Sequence, residues 1–243
     1  MAEANLYESR ALRDITGPVV RPGGFRLTDR GMAYCSLAPG ARVLDVGCGT
    51  GAAVYRLRHR HGLAAMGIDR SSVLLEDGLR SYGDSPLVRG WAEQLPAGDG
   101  SFEAVLCECV LSLCKDPLKV LREIMRVLQL GGYLVLTDVY SRCPTATPRE
   151  AGKPSANCCL QGAVGRFTVE ARIAAAGYEL LLWEDHSELL TQLAAQLVWT
   201  YGSLDAFWSA IAGPAAAGTM RRGAEACRRP GYYLLVAQKP ANL

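Results

Sequence analysis

The sequence predicts an α/β fold of three layers. A seven-stranded, mostly parallel sheet with its last strand antiparallel lies between helices, and helical lid insertions are added toward the C-terminal end. Three observations predict it. Val43-Leu44-Asp45-Val46 reads as a buried strand, and Gly47-Cys48-Gly49-Thr50-Gly51 then turns directly into a helical segment at Ala52. Short β-prone runs alternate with helical runs from there to residue 184, the pattern of a parallel sheet with crossover helices. Finally, 178–184 and 232–237 read as a closing, hairpin-like pair of strands.

The totals exclude several classes. Hydrophobic residues make up 49% of the 243 and charged residues 21%, an ordinary balance for a soluble globular protein. A net charge of +2 gives no electrostatic footprint for nucleic acid or a membrane surface. No apolar run approaches the roughly 18 residues that span a bilayer. The start, Met1-Ala2-Glu3-Ala4-Asn5, lacks a basic and then apolar leader, so a cytoplasmic location is expected. The expected partner is a small-molecule substrate, with neither nucleic acid nor membrane, and the chain is expected as a monomer or homodimer. Nine cysteines, an odd number without a leader, argue against a disulfide framework. None are spaced C-x-x-C, so no metal site is expected.

Taken in order, 1–38 reads as N-terminal cap helices. Pro22-Gly23-Gly24 is a turn, and Thr28 is placed to cap a helix from Asp29 to Leu37. Such a segment either folds over a ligand site or packs on the sheet edge. The glycine turn then brings backbone close to a ligand, and the helix start behind it offers unpaired N–H groups. This is an arrangement that binds nucleotides. Gly62 ends the helix. A second strand runs over 63–68 and ends at Asp69, 18 residues after Gly51. That is close to the offset of roughly 20 expected of a ribose-binding acid. The alternative for Asp69 is a helix cap, since Ser71 and Ser72 follow.

Further along, 86–90 and 101–107 read as the third and fourth strands. Cys107, Glu108 and Cys109 leave the end of the fourth, where open α/β sheets bind ligands. Asp116-Pro117 starts a helix with an apolar face at Leu118, Leu121, Ile124, Met125 and Leu128, which Gly131-Gly132 is expected to end. The fifth strand covers 133–138, with Asp138 and Tyr140 at its carboxyl end. Residues 141–166 lose the periodicity and read as a lid insertion, including the adjacent Cys158 and Cys159. A helix over 167–176 and the sixth strand follow, ending at Asp185-His186. The segment 186–229, with a leucine-rich helix over 188–199, reads as a second lid.

V-L-D-V-G-C-G-T-G, with its acid at Asp45, resembles the first motif of S-adenosylmethionine-dependent methyltransferases of Rossmann-like fold. Gly90-Trp91-Ala92-Glu93-Gln94-Leu95-Pro96 and Ser101-Phe102-Glu103-Ala104-Val105 resemble the G-D-A-E-x-L-P and S-F-D-x-V stretches of one subgroup. That subgroup includes the ubiquinone and menaquinone biosynthesis enzymes. L-R-E-I-M-R-V-L-Q-L-G-G-Y-L-V-L-T-D resembles the same pattern of helix, double glycine and strand. The chain departs at Trp91, where the subgroup usually carries an acid. The resemblance implies one methyltransferase domain over 1–243 with its cofactor core at 40–140. The cofactor implied is S-adenosylmethionine, giving S-adenosylhomocysteine. Asp45, Gly47, Cys48, Gly49, Gly51, Asp69, Arg70, Trp91, Ala92, Glu93 and Glu108 are its implied binding residues. For an acceptor that needs a base, His186, Asp138 and Tyr140 are the candidates. Two alternatives stand beside this: a non-catalytic S-adenosylmethionine-binding module, and a thiol-assisted arsenite or metalloid methyltransferase through Cys158 and Cys159.

Overall fold

Alternation along β1 (Arg42–Val46) builds a core on each face of the sheet. Leu44 and Val46 pack on one face with Ile68, Val105 and Cys107, against Val120, Leu121 and Ile124. Val43 packs on the other with Ala65, Ala104 and Leu106, against Val54 and Leu57. Both positions in the alternation are apolar because helices cover both faces. The structure, a computed structural model, describes residues 6–143, 158–213, 218, 227 and 229–242.

The other strands are β2 (Ala64–Asp69), β3 (Leu87–Arg89), β4 (Phe102–Glu108), β5 (Leu128–Ser141), β6 (Glu179–Asp185) and β7 (Pro230–Gln238). They form one seven-stranded sheet in the order β3-β2-β1-β4-β5-β7-β6. Strands β1 to β5 pair in parallel, and β7 inserts antiparallel between β5 and β6. The expected sheet, with its antiparallel last strand, is the observed one. Strand order reverses between β1 and β4, and that switch point leaves a crevice at the carboxyl ends of the strands.

The helices are α1 (Arg10–Thr16), α2 (Arg26–Cys35), α3 (Ala52–His61), α4 (Ser72–Tyr82), α5 (Pro117–Val127), α6 (Arg166–Ala175), α7 (Ser187–Tyr201) and α8 (Leu204–Ala212). Local chemistry starts several of them. The Asp116 side chain accepts from the Lys119 N–H at 3.0 Å ahead of Pro117. The Ser71 hydroxyl accepts from the Leu74 N–H at 3.2 Å, so Ser71, not Asp69, caps α4. Gly78 lets α4 close on the glycine turn, because a Cβ there would lie 2.2 Å from the Thr50 carbonyl oxygen.

Two boundaries differ from expectation. Helix α5 ends at Val127, and Gly131-Gly132 lies four residues into the strand that follows. The β4–β5 register shifts between the Phe102–Leu128 and Ala104–Tyr133 pairs, and the two glycines take up that irregularity. Thr28 sits inside α2, buried, and does not cap it; its hydroxyl serves a carboxylate described below. Helices α7 and α8 occupy the stretch between β6 and β7, where inserted helices were expected. Most of the first lid, 144–157, falls outside the described residues. Among the described residues no helix is long and apolar enough to cross a membrane.

Candidate functional site

Most of the cofactor-binding candidates meet at one place. A cavity of about 510 Å³ opens at the carboxyl ends of β1, β2 and β4 and is lined by Gly47, Cys48, Gly49, Asp69, Arg70, Trp91, Ala92, Glu93, Glu108 and Cys109. The volume is in the range of small-molecule sites, roughly 300–1,000 Å³. Gly51 is not in the lining; it stands in a left-handed conformation at the start of α3. Asp45 lies beneath the lining, buried in β1. Cys107 is wholly buried and belongs to the core.

The turn has its shape for physical reasons. Gly47 has φ +75°, and a Cβ there would lie 2.3 Å from a methyl of Val110. The N–H groups of Gly47 and Cys48 both donate to the Ile68 carbonyl, at 2.7 and 3.0 Å, which fixes the turn against the end of β2. Asp69 joins the two sides. Its carboxylate accepts from the Gly49 N–H and from the Ser71 N–H, each at 2.8 Å. The acid therefore sits on the cavity wall with its orientation set from below, in reach of a ribose placed over the turn.

The inner end of the cavity is acidic. Glu108 is nearly sealed, its side chain 1% exposed, and pairs with Arg21 at 2.9 Å. Thr28 donates to Glu108, lying 3.2 Å from each carboxylate oxygen. Asp45 accepts no hydrogen bond from the described residues. Burial pushes its carboxyl up to about 7, the charge of Glu108 adds to the rise, and Arg21 opposes it. Burial also pushes Glu108 up, against the pull of Arg21. Two carboxylates thus face one guanidinium, an arrangement that favours a cationic ligand. The glycine turn, the Asp69 carboxylate and the acidic inner end together fit an adenosyl cofactor with a sulfonium and an ammonium group.

Trp91 is 56% exposed and stands at the mouth, with the Arg89 guanidinium 5.8 Å from its ring centre. It is not a core aromatic. Its ring is free to lie along a ligand at the rim.

None of the three base candidates lines this cavity. His186 opens onto a separate surface cleft with Arg26, Asp29, Arg30 and Glu184, its ring 3.0 Å from the Glu184 carboxylate. Asp138 is buried and taken up by Ser112, whose N–H and hydroxyl donate to it at 2.8 and 2.7 Å, and by the Val139 N–H at 2.8 Å. Burial nevertheless raises it to about 6. Tyr140 donates to Asp185 at 2.9 Å and packs edge-on to Trp183 and Tyr233. His61, at the end of α3, lies half-buried with its ring 2.9 Å from Asp29.

The adjacent cysteines lie outside the cavity lining, with their side chains hydrogen-bonded to each other. Cys158 is buried with Leu12, Leu197 and Phe207, a packing role. Cys159 begins a short 3₁₀ turn, Cys159–Gln161, and its N–H donates to the Tyr7 hydroxyl at 3.3 Å. Among the described residues no three His, Cys, Asp or Glu side chains are grouped to hold a metal ion.

Of its two expected places the N-terminal segment takes the one over the site, but its individual residues were not singled out from the sequence. Tyr7, Arg13, Pro18, Val19, Val20 and Arg21 form one wall of the cavity. The signal for Arg21 was a single arginine directly after Pro18-Val19-Val20 and before the Pro22-Gly23-Gly24 turn.

Comparison with known proteins bears on this geometry. Residues 44–136 match the family model described as a methyltransferase domain. A demethylmenaquinone methyltransferase of Renibacterium salmoninarum is 35% identical over 51% of this chain and 53% of its own length. An arsenite methyltransferase of Halobacterium salinarum is 27% identical over 60% of this chain and 39% of its own. Among solved structures, the [4+2]-cyclase SpnF superposes with a TM-score of 0.68 at 29% identity, covering 90% of this chain and 82% of that one. The chain spans between half and two thirds of the first curated relatives it matches, 53% and 61%.

Proposed function

We propose that the chain is an S-adenosylmethionine-dependent methyltransferase similar to the ubiquinone and menaquinone type, and that it methylates a small molecule. The observation that carries the reading is the cavity itself, where the glycine turn, Asp69 and the acidic inner end meet on one ligand-sized volume. When bound, S-adenosylmethionine supplies a methyl group on a positively charged sulfur. The chain's own residues bind and orient. The glycine turn gives the nucleoside end close approach to the backbone, Asp69 accepts from it, Trp91 covers the rim, and the acids Asp45 and Glu108 attract the cationic end. The wall from Pro18 to Arg21 keeps out water.

The acceptor is small and partly apolar, because Tyr7, Val19, Val20 and Leu113 line the cavity beside its charged groups. Asp138 acts as a positioning residue, holding Ser112 at the acceptor end. His186 and Tyr140 serve the packing of β6 and α7. His186→Asn is therefore expected to change S-adenosylmethionine affinity by less than about twofold, as residues without shared partners act independently; titration calorimetry checks it. On the same reading the chain is one domain, with cap helices over 1–38, a cofactor core over 40–140 and lids over 141–166 and 186–229. It works in the cytoplasm as a monomer or homodimer, without nucleic acid or membrane.

A second reading has support in the likeness to the [4+2]-cyclase SpnF. In that reading the cavity holds the cofactor and no methyl group moves. Mass spectrometry of S-adenosylhomocysteine formed with a panel of small thiols, phenols, amines and quinols separates the two. The methyltransferase reading expects acceptor-dependent product. Tight cofactor binding with no acceptor-dependent product across the panel favours the second.

A further inference from the structure

The geometry points to Arg21 as a positioning residue for this cavity: it locks the 18–21 wall onto Glu108 and so sets how long the cofactor stays bound. The inference rests on the cofactor reading only through the choice of ligand; the lock itself is readable without one.

The contacts are specific. Arg21 lies in the connection between α1 and α2. Its Nε donates to the Gly24 carbonyl at 3.0 Å, which braces the guanidinium from behind. Its Nη2 reaches forward to Thr28 at 2.6 Å and to Glu108 at 2.9 Å. Thr28 in turn donates to the same carboxylate. Three chain segments (the connection, α2 and the end of β4) therefore converge on one charge pair. Both partners are desolvated, at 9% and 1% side-chain exposure.

The rest of the wall is held more weakly. Thr50 donates to the Pro18 carbonyl at 3.4 Å. Val19 is buried by apolar contact, and the Phe25 ring lies under Arg21 and Arg56 at 5.9 and 4.6 Å. Arg13 and Glu8 tie the preceding segment to α4 and its cap through Asp77 and Ser71. Glu108 lines the cavity and the wall it anchors covers it. A ligand between them is covered by the wall, and release by lifting the wall breaks the buried pair. Removing one partner of such a pair strands the other charge in a dry site, which is costly, whereas removing both is not.

The test uses the full chain. Hydrogen exchange is followed without ligand in 18–25 and in the β5–β7 core, and the release of S-adenosylhomocysteine is timed by stopped flow. Arg21→Met is expected to speed exchange in 18–25 and product release by about tenfold or more, with core exchange unchanged, because local opening is separable from global unfolding. Arg21→Lys keeps the charge but loses the fork, and is expected to fall between that variant and the native chain. It serves as the deciding variant if Arg21→Met does not fold. The double variant Arg21→Met with Glu108→Gln is expected to keep the fast release while recovering thermal stability. Exchange in 18–25 and release both within about twofold of the native chain in Arg21→Met, or in Arg21→Lys should it alone fold, overturn the lock, since the expected loss is several times that. Acceleration spread equally over the core overturns it too, as a merely structural effect. If the native chain takes up no adenosyl ligand, the cofactor reading fails, and the exchange data alone decide the lock.

Discussion

Gly47→Ala is expected to lower S-adenosylmethionine affinity by about 100-fold or more, while the chain still folds. Two costs combine at this position. The backbone holds φ +75°, a region that alanine enters only with strain, and the added Cβ would meet a Val110 methyl at 2.3 Å. Val110 follows Cys109, itself at φ +57°, so it has little room to retreat. Relief comes by moving the turn away from β4. That breaks the paired bonds from Gly47 and Cys48 to the Ile68 carbonyl and withdraws the Gly49 N–H from Asp69. The backbone that lines the cavity, and the Asp69 carboxylate it orients, are what is displaced. Titration calorimetry measures the loss, and near-native circular dichroism establishes that the sheet survives. Affinity within about threefold of native, under 1 kcal/mol, contradicts the placement of the cofactor at this turn.

Asp45→Asn is expected to act in opposite directions on stability and on binding. Burial first, and then the nearby charge of Glu108, raise the Asp45 carboxyl from an ordinary 3.8 to about 7. The folded chain therefore holds this proton more tightly than the unfolded chain. The resulting stability is fully present below about pH 4 and is lost as pH rises through about 7. Asparagine carries no charge to desolvate. The variant is expected to melt with the native chain at pH 4 and above it at pH 8, by up to roughly 4 kcal/mol, since each unit of pKa difference is about 1.4 kcal/mol. Binding runs the other way. An ionised Asp45 attracts the cationic end of the cofactor, so native affinity is expected to rise by about tenfold from pH 6 to pH 8. The Asn variant is weaker at pH 8 and flatter across the range. A native affinity independent of pH, or a variant that melts below the native chain at pH 8, overturns this account of the inner acids.

The cofactor half of the site was legible because it is local. Strand, glycine turn and helix start lie within residues 42–61, and Asp69 follows one crossover later, so spacing alone carries them to one place. The acceptor half was not legible, because it depends on long-range packing. Asp138 and Tyr140 stand at the end of β5 as the register requires, yet what each one meets is set by distant residues. Ser112 takes up the first and Asp185 the second, and no periodicity announces those partners. His186 follows β6, but the insertion of β7 between β5 and β6 places it two strands away from β5, so a strand-end position did not make it a neighbour of the cavity. Arg21 is a third case. It is 87 positions from Glu108 in sequence, and only folding the N-terminal segment across the sheet ends joins them at 2.9 Å. The glycine pair at 131–132 misled for a different reason: a helix stop and a shift of strand register call for the same residue type.

The central claim is that this cavity is built for an adenosyl sulfonium cofactor, and titration calorimetry of the full chain against S-adenosylmethionine and, separately, against a nicotinamide dinucleotide tests it most directly. The expected result is one saturable site for S-adenosylmethionine with a dissociation constant of about 1–100 μM, equivalent to roughly 5.5–8 kcal/mol, and no measurable heat with the dinucleotide. No binding of S-adenosylmethionine, or binding left intact when Asp45, Gly47 and Asp69 are all replaced, contradicts it.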